Sequence, residues 1–113
     1  MIETIVIDYL KGKTSAGNNV DAEIPEERSD TCIVVEKTGS MTENHITTST
    51  IAVQSYGKHM LDAIRLNEEV KEIMEQLPEL DKVSSCKLNS DYNFTDQTTK
   101  QYRYQAVFQI THF

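Results

Sequence analysis

Apolar residues recur at intervals of three and four along the segment that follows residue 57. From Lys58 to Leu77 they fall on one side, while most of the charged residues fall on the opposite side. This spacing predicts an amphipathic helix whose apolar face packs against a core. We expect Ser55 to cap the N-terminus of this helix and Pro78 to end it. Its apolar positions are Met60, Leu61, Ile64, Leu66, Val70, Ile73, Met74 and Leu77.

A shorter apolar stripe lies at the N-terminus. Its spacing over Ile2 to Lys13 predicts a second helix, although the β-branched stretch "TIVI" also suits a strand. The turn-forming stretch "GKTSAGNN" is expected to end this helix. A short strand over Val20 to Glu23 and the polar connection "IPEERSD" are predicted to follow.

Two strand-like runs come next, "TCIVVEKTG" and "ITTSTIAVQSYG". The polar stretch "GSMTENH" between them predicts a loop, so the two strands would form a hairpin with an extended, exposed tip. Loop tips of this kind often carry contacts with other molecules.

Two further strands close the chain, joined by the turn "TDQTT". In the last strand, apolar residues alternate with polar ones, which predicts one face on the core and one polar face. The element order α-β-β-β-α-β-β predicts a single α+β domain over residues 1–113, with a mostly antiparallel sheet, one long helix packed on a face and a shorter N-terminal helix. The expected core face of the last strand holds Tyr102, Tyr104, Ala106, Phe108 and Ile110.

The polar face of this predicted sheet is rich in uncharged side chains. We assign to it Thr47, Ser49, Gln105, Gln109 and Thr111. Uncharged polar groups lose water at modest cost when they find hydrogen-bond partners. The face therefore fits either a surface that meets another protein or a plain solvent face.

Charge and cysteine content limit the classes of function. The 113 residues include 11 Lys and Arg against 18 Asp and Glu, a formal net charge of −7. Such an acidic balance argues against a protein that grips nucleic acid. The start of the chain has no basic region typical of a signal peptide, and no segment approaches membrane-spanning length. Cys32 and Cys86 form no CxxC pair and are expected to be buried thiols, although the sequence leaves a disulfide open.

Known catalytic patterns do not occur in the sequence. It has no Gly-rich phosphate loop and no GxSxG context around a serine. His45, His59 and His112 have no carboxylate or cysteine at metal-ligand spacing. We therefore predict that the protein is not an enzyme and holds neither a metal nor a cofactor.

Three stretches together resemble a known group of proteins. They are "IPEERSDTCIVVEKTGS", "STIAVQSYGKHMLDAIRLNEEVKEIM" and "LNSDYNFTDQTTKQYRYQAVFQI", which span nearly the whole chain. They resemble small neck proteins of long-tailed bacteriophages and prophages of Gram-positive hosts, most closely the tail terminator or tail completion proteins. The "VVEKTG" strand end, the "AVQSYG" strand before the helix and the final hairpin carry the resemblance.

The resemblance implies a structural virion protein, made in the cytoplasm of the bacterial host and built into the phage neck. It implies a homo-oligomer, a six-fold ring that caps the tail tube and meets the head-tail connector. DNA would pass through the lumen without specific binding, and no membrane is involved. A head-tail connector or stopper protein of the same neck, and a protein-binding module unrelated to phage, remain alternatives.

Under this interpretation two regions are candidate interfaces with neighbouring subunits or the tube. The first is the predicted hairpin tip, which could equally be an ordinary exposed loop; the residues that border it or lie in it are Glu36, Lys37, Met41, Glu43 and Asn44. The second is the polar face of the last strand, with Arg103 and Gln105. Arg103 is the predicted partner in an ion pair between subunits.

Overall fold

A computed structural model describes residues 1–26, 30–99 and 101–113. The predicted polar connection "IPEERSD" therefore lies partly outside the described residues. The fold is α+β in the predicted order, with one sheet and two helices on one side of it. The elements are α1 (Ile2–Leu10), β1 (Val20–Asp21), β2 (Cys32–Glu43), β3 (Ile46–Gly57), α2 (Met60–Met74), a 3₁₀ turn (Leu77–Glu79), β4 (Val83–Asn93) and β5 (Tyr102–His112).

The five strands form a single sheet in the order β1-β2-β3-β5-β4. β1 runs parallel to β2, and all other neighbours are antiparallel, which confirms the mostly antiparallel sheet. β5 follows β4 in the chain but lies between β3 and β4. β1 covers β2 only at Ile33 and Val34, so β2 has an open outer edge from Val35 onward within the described chain.

The core lies between the sheet and the helices. The apolar stripe of α2 packs on β3 and β5, and α1 adds Ile2, Val6 and Leu10 at its side. The largest fully buried side chains of this core include Phe108, Ile51, Leu66 and Met74. Antiparallel sheets commonly cover one face with helices in this way and leave the second face open to other contacts.

The long helix is shorter than the sequence predicts. It begins at Met60, after His59, and ends at Met74, before the 3₁₀ turn that contains Pro78. The prediction that Ser55 caps this helix is wrong. Ser55 lies fully buried in β3, where it pairs with Tyr104 of β5. The β3–β5 ladder holds the backbone extended as far as Gly57, so the helix cannot start earlier.

The connection from β3 to α2 depends on one glycine. A Cβ atom at Gly57 would lie 2.5 Å from the backbone nitrogen of Ala63 and 2.8 Å from Cβ of Asp62. A side chain at this position would push against the first turn of α2. Gly57 therefore lets the helix fold back onto the sheet directly after the strand.

The hairpin of β2 and β3 differs from the predicted extended loop. β2 continues through the stretch "GSMTE", and the strands are joined by Asn44 and His45 alone. Both residues have positive φ, 52° and 66°, as two-residue hairpin turns of type I′ require. Glu36, Lys37, Met41 and Glu43 thus belong to β2, whose pairing with β3 is interrupted by a bulge between Lys37 and Gly39. Of these candidate residues, Asn44 alone lies in the turn.

Candidate functional site on the open sheet face

We call the side of the sheet opposite α2 the open face. Strand pairing places the following residues on the open face: Thr48, Thr50 and Gln54 of β3, Arg103, Gln105, Val107, Gln109 and Thr111 of β5, and Lys87 and Tyr92 of β4. The sequence assignment is wrong for Thr47 and Ser49. Ser49 pairs with the buried Ile110 and is itself buried on the side of α2, and Thr47 shares its side because side chains two apart point the same way.

A chain of side-chain hydrogen bonds crosses three strands of the open face. The hydroxyl of Tyr56 donates to Oε1 of Gln54 over 3.1 Å, and Nε2 of Gln54 donates to Oε1 of Gln105 over 2.9 Å. Nε2 of Gln105 then donates to the hydroxyl of Tyr92 over 2.6 Å. Gln54 and Gln105 are buried, so these bonds replace water that both amides have lost. The chain fixes the orientation of all four side chains.

Arg103 is tied to the end of this chain. Its Nη1 donates to the hydroxyl of Tyr56 over 2.8 Å, and its Nε donates to the backbone carbonyl of Phe94 over 2.6 Å. The guanidinium carbon lies 4.5 Å from the ring centre of Phe94 and 5.7 Å from that of Tyr56. Two hydrogen bonds and two cation–π contacts therefore hold a half-buried cation in one orientation.

The structure separates the predicted interface residues into two groups. Arg103 and Gln105 belong to the hydrogen-bond chain at one end of the open face. Met41, Glu43 and Asn44 lie at the other end, where with Ile46 and Thr48 they line a shallow depression beside the turn. Met41 pairs with Thr48, whereas Gln105 pairs with Gln54, about 20 Å farther along β3.

Glu36 and Lys37 belong to neither group. Both are exposed on β2 between the two ends of the hairpin. Glu36 pairs with Ala52 and faces the open side, whereas Lys37 pairs with the core residue Ile51 and faces the side of the helices. Glu36 and Lys37 therefore do not belong to one site.

The sequence analysis missed the residues that organise the open face, namely Gln54, Tyr56, Tyr92 and Phe94. The alternation of β3 could have placed two of them on the open face, because Gln54 and Tyr56 alternate with the core residue Val53. Tyr102 and Tyr104, expected in the core, are half-buried and lie outside the buried core clusters.

A second polar cluster lies on the other side of the sheet, under α2. The side-chain amide of Asn67 and the amine of Lys71 each donate to Oδ2 of Asp91 over 3.0 Å. Lys71 also pairs with Glu68 at 2.8 Å, and these hydrogen bonds, the one to Glu68 first, raise the pKa of Lys71. The cluster joins α2 to β4 and engages the charges of Lys71, Asp91 and Glu68, whereas the buried Oδ1 of Asn67 has no hydrogen-bond partner among the described residues.

The two cysteines are free thiols in the folded chain. Cys32 is buried, and burial raises the pKa of the half-buried Cys86 to about 12. Within residues 1–26, 30–99 and 101–113, no three His, Cys, Asp or Glu side chains are placed to hold a metal ion. In the same described residues, neither helix has the length and apolar character needed to cross a lipid bilayer.

Comparison with known proteins identifies no family for the chain. A scan against protein-family models finds no match. A search of curated proteins also finds no matching sequence.

Proposed function

We propose that the protein is a structural component of the neck of a long-tailed phage, which caps the tail tube as a ring and joins it to the head connector. Its support is the sequence resemblance to tail terminator proteins together with the α-β-β-β-α-β-β order of the fold. The proposal includes a virion location, synthesis in the cytoplasm of the host cell, and a role without catalysis.

The observation that carries this proposal is the exposed end of the β2–β3 hairpin. Met41 is 70% exposed and Ile46 is 42% exposed, and both face the open side of the sheet. Their neighbours there are Thr48, Thr50 and Thr111, which bear no charge, and the exposed Glu43, which pairs with Ile46. Exposed apolar side chains among mostly uncharged polar ones suit a protein interface, with Glu43 at its rim, better than a solvent surface. We assign this end of the hairpin to contact with the tail tube.

The charge of the chain fits the passage of DNA through such a ring. Six copies, each with a formal charge of −7, would carry 6 × −7, or −42. Acidic side chains along the lumen would repel the phosphate backbone and keep DNA from adhering during ejection. Replacing lumen acids by Lys would then slow the release of DNA.

The experiment that tests the role is deletion of the gene from the phage or prophage that encodes it. Negative-stain electron microscopy of the lysate should show overlong or irregular tails beside filled heads. Tails of normal length beside heads that lose DNA would instead assign the chain to the connector or stopper. A lysate of intact virions would refute a neck function.

A pair of surface variants tests the contact itself. The double substitution Met41→Ser with Ile46→Ser should leave the stability of the monomer unchanged and abolish complementation of the deletion. Ile24→Ser is the matched control, because Ile24 is 40% exposed but lies outside the strands and α2, in the segment between β1 and β2. Equal complementation by the double variant and the control would remove the hairpin end from the tube interface.

A further inference from the structure

The guanidinium of Arg103 is a partly desolvated cation that forms no ion pair among the described residues. Its charge does act on the exposed carboxylate of Asp96, whose pKa is lowered chiefly by hydrogen bonds from Thr98 and Thr99 and also by Arg103. Of its five N–H groups, the described hydrogen bonds to Phe94 and Tyr56 use two. No carboxylate of the described residues lies within ion-pair distance of it, since both ion pairs found there belong to Lys71. A charge that has lost water and is held in one orientation is suited to receive a carboxylate from outside.

The surroundings of Arg103 have the composition of an interface hot spot. Phe94, which contacts Arg103, is 39% exposed, and its ring meets that of Tyr92, which is 41% exposed, edge to face with centres 6.0 Å apart. Tyr and Arg are enriched among the hot-spot residues that dominate the energetics of protein interfaces, and Phe is enriched at the centres of interfaces. The hydrogen-bond chain behind them keeps the patch rigid before any partner arrives.

Carboxylates without a cationic partner lie on the opposite side of the domain. On the outer surface of α2, Glu68 pairs with Lys71, and Glu69 accepts a hydrogen bond from the hydroxyl of Ser15. Glu72 and Glu75 are exposed and form neither contact among the described residues. Among the described residues, the domain therefore presents Arg103, a cation outside both ion pairs, on the open face and acids outside both ion pairs on the helix layer. Glu36 and Glu43 are also exposed acids outside these pairs, but they share the open face with Arg103.

We infer that Arg103 binds a carboxylate on α2 of a second copy of this chain, Glu72 or Glu75. Each copy would use two different patches, and a contact between different patches closes into a ring when the rotation between copies allows it. The inference deepens the proposed ring function and rests on it for its biological meaning. Its test uses purified protein alone, without tails, so that the two can fail separately.

Carbodiimide cross-linking of the variant Arg103→Lys tests the contact directly. The lysine keeps the charge and supplies an amine that the reagent joins to a touching carboxylate. At high protein concentration, mass spectrometry should identify a link between position 103 and Glu72 or Glu75, confined to the covalent dimer. A dimer linked only through other residues, or no dimer at all, would overturn the inference.

Charge reversal supplies a second, independent measurement. Arg103→Glu alone, and Glu72→Lys with Glu75→Lys, should each weaken self-association by about tenfold or more in sedimentation velocity, because like charges then face each other. An equimolar mixture of the two variants should recover association, since each supplies the charge that the other lacks.

Lys87→Glu is the control, because Lys87 is an exposed cation on the same open face. It should change association by less than the reversal of Arg103. Equal losses in both, or a mixture that fails to recover, would show that only the general charge of the face matters. If the mixture associates normally but Arg103→Lys gives no carbodiimide link from position 103 to Glu72 or Glu75, a direct contact is likewise contradicted.

Discussion

Gly57→Ala should destabilise the fold more than any other single methyl group added to a glycine of the described chain. The new Cβ would lie 2.5 Å from the backbone nitrogen of Ala63, and 2.8 Å and 2.9 Å from Cβ and the carbonyl carbon of Asp62. Two of these three atoms are backbone, so relief requires a shift of the first turn of α2. Overpacking of this kind costs about 1–3 kcal/mol, and the rigid neighbours place the expected loss near 2.5 kcal/mol.

Urea unfolding at neutral pH, followed by circular dichroism, measures this loss as a lower midpoint with an unchanged slope. With an unfolding entropy of about 2.1 cal/mol/K per residue, a loss of about 2.5 kcal/mol lowers the Tm of this domain by about 10 °C. Gly39→Ala is the control, because a Cβ there meets nothing within 4 Å. If the free energy of unfolding of Gly57→Ala lies within about 0.5 kcal/mol of that of the parent protein, the close approach of strand and helix is not rigid and the reasoning is refuted.

Two further perturbations test the open face and the thiol chemistry. Tyr56→Phe removes the hydroxyl that joins a guanidinium to a buried amide, so the free energy of unfolding in urea should fall by about 1–2 kcal/mol; an unchanged midpoint would show that the hydrogen-bond chain contributes nothing. Burial raises the pKa of Cys86 from 9.0 to about 12, so the stability that its protonated form provides is complete below pH 9 and is lost as the pH rises toward 12. The free energy of unfolding of Cys86→Ala should therefore decrease less steeply between pH 9 and pH 12 than that of the parent protein. If the two free energies decrease in parallel with pH, the raised pKa of Cys86 is contradicted.

The fold was predictable because its strongest signals are periodic. The apolar stripe of α2 and the alternation of β5 each need one buried face, and both appear at the predicted places. Boundaries were harder, because they depend on distant partners. Ser55 has the chemistry of a helix cap, but pairing with β5 holds its backbone in the sheet. That pairing joins segments about fifty residues apart and leaves no local mark.

The candidate site was less predictable than the fold. β2 is buried on both faces from Cys32 to Val35 and exposed on both faces from Glu36 to Glu43, so it shows no alternation and its polar residues resemble a loop. Arg103 was correctly placed on the polar face, but its bonds to Phe94 and Tyr56 depend on strand order. The sequence alone does not show that β5 lies between β3 and β4.

This insertion of β5 between β3 and β4 constrains how the chain folds as it is synthesised. When β4 leaves the ribosome, β3 can already pair with β2, but β3 and β4 each still present an unpaired edge. Only β5, made last of the five strands, satisfies both edges at once and completes the half of the sheet on which α2 packs. Until then the nascent chain carries two templates for pairing with other chains, so its most aggregation-prone interval falls between the synthesis of β4 and that of β5.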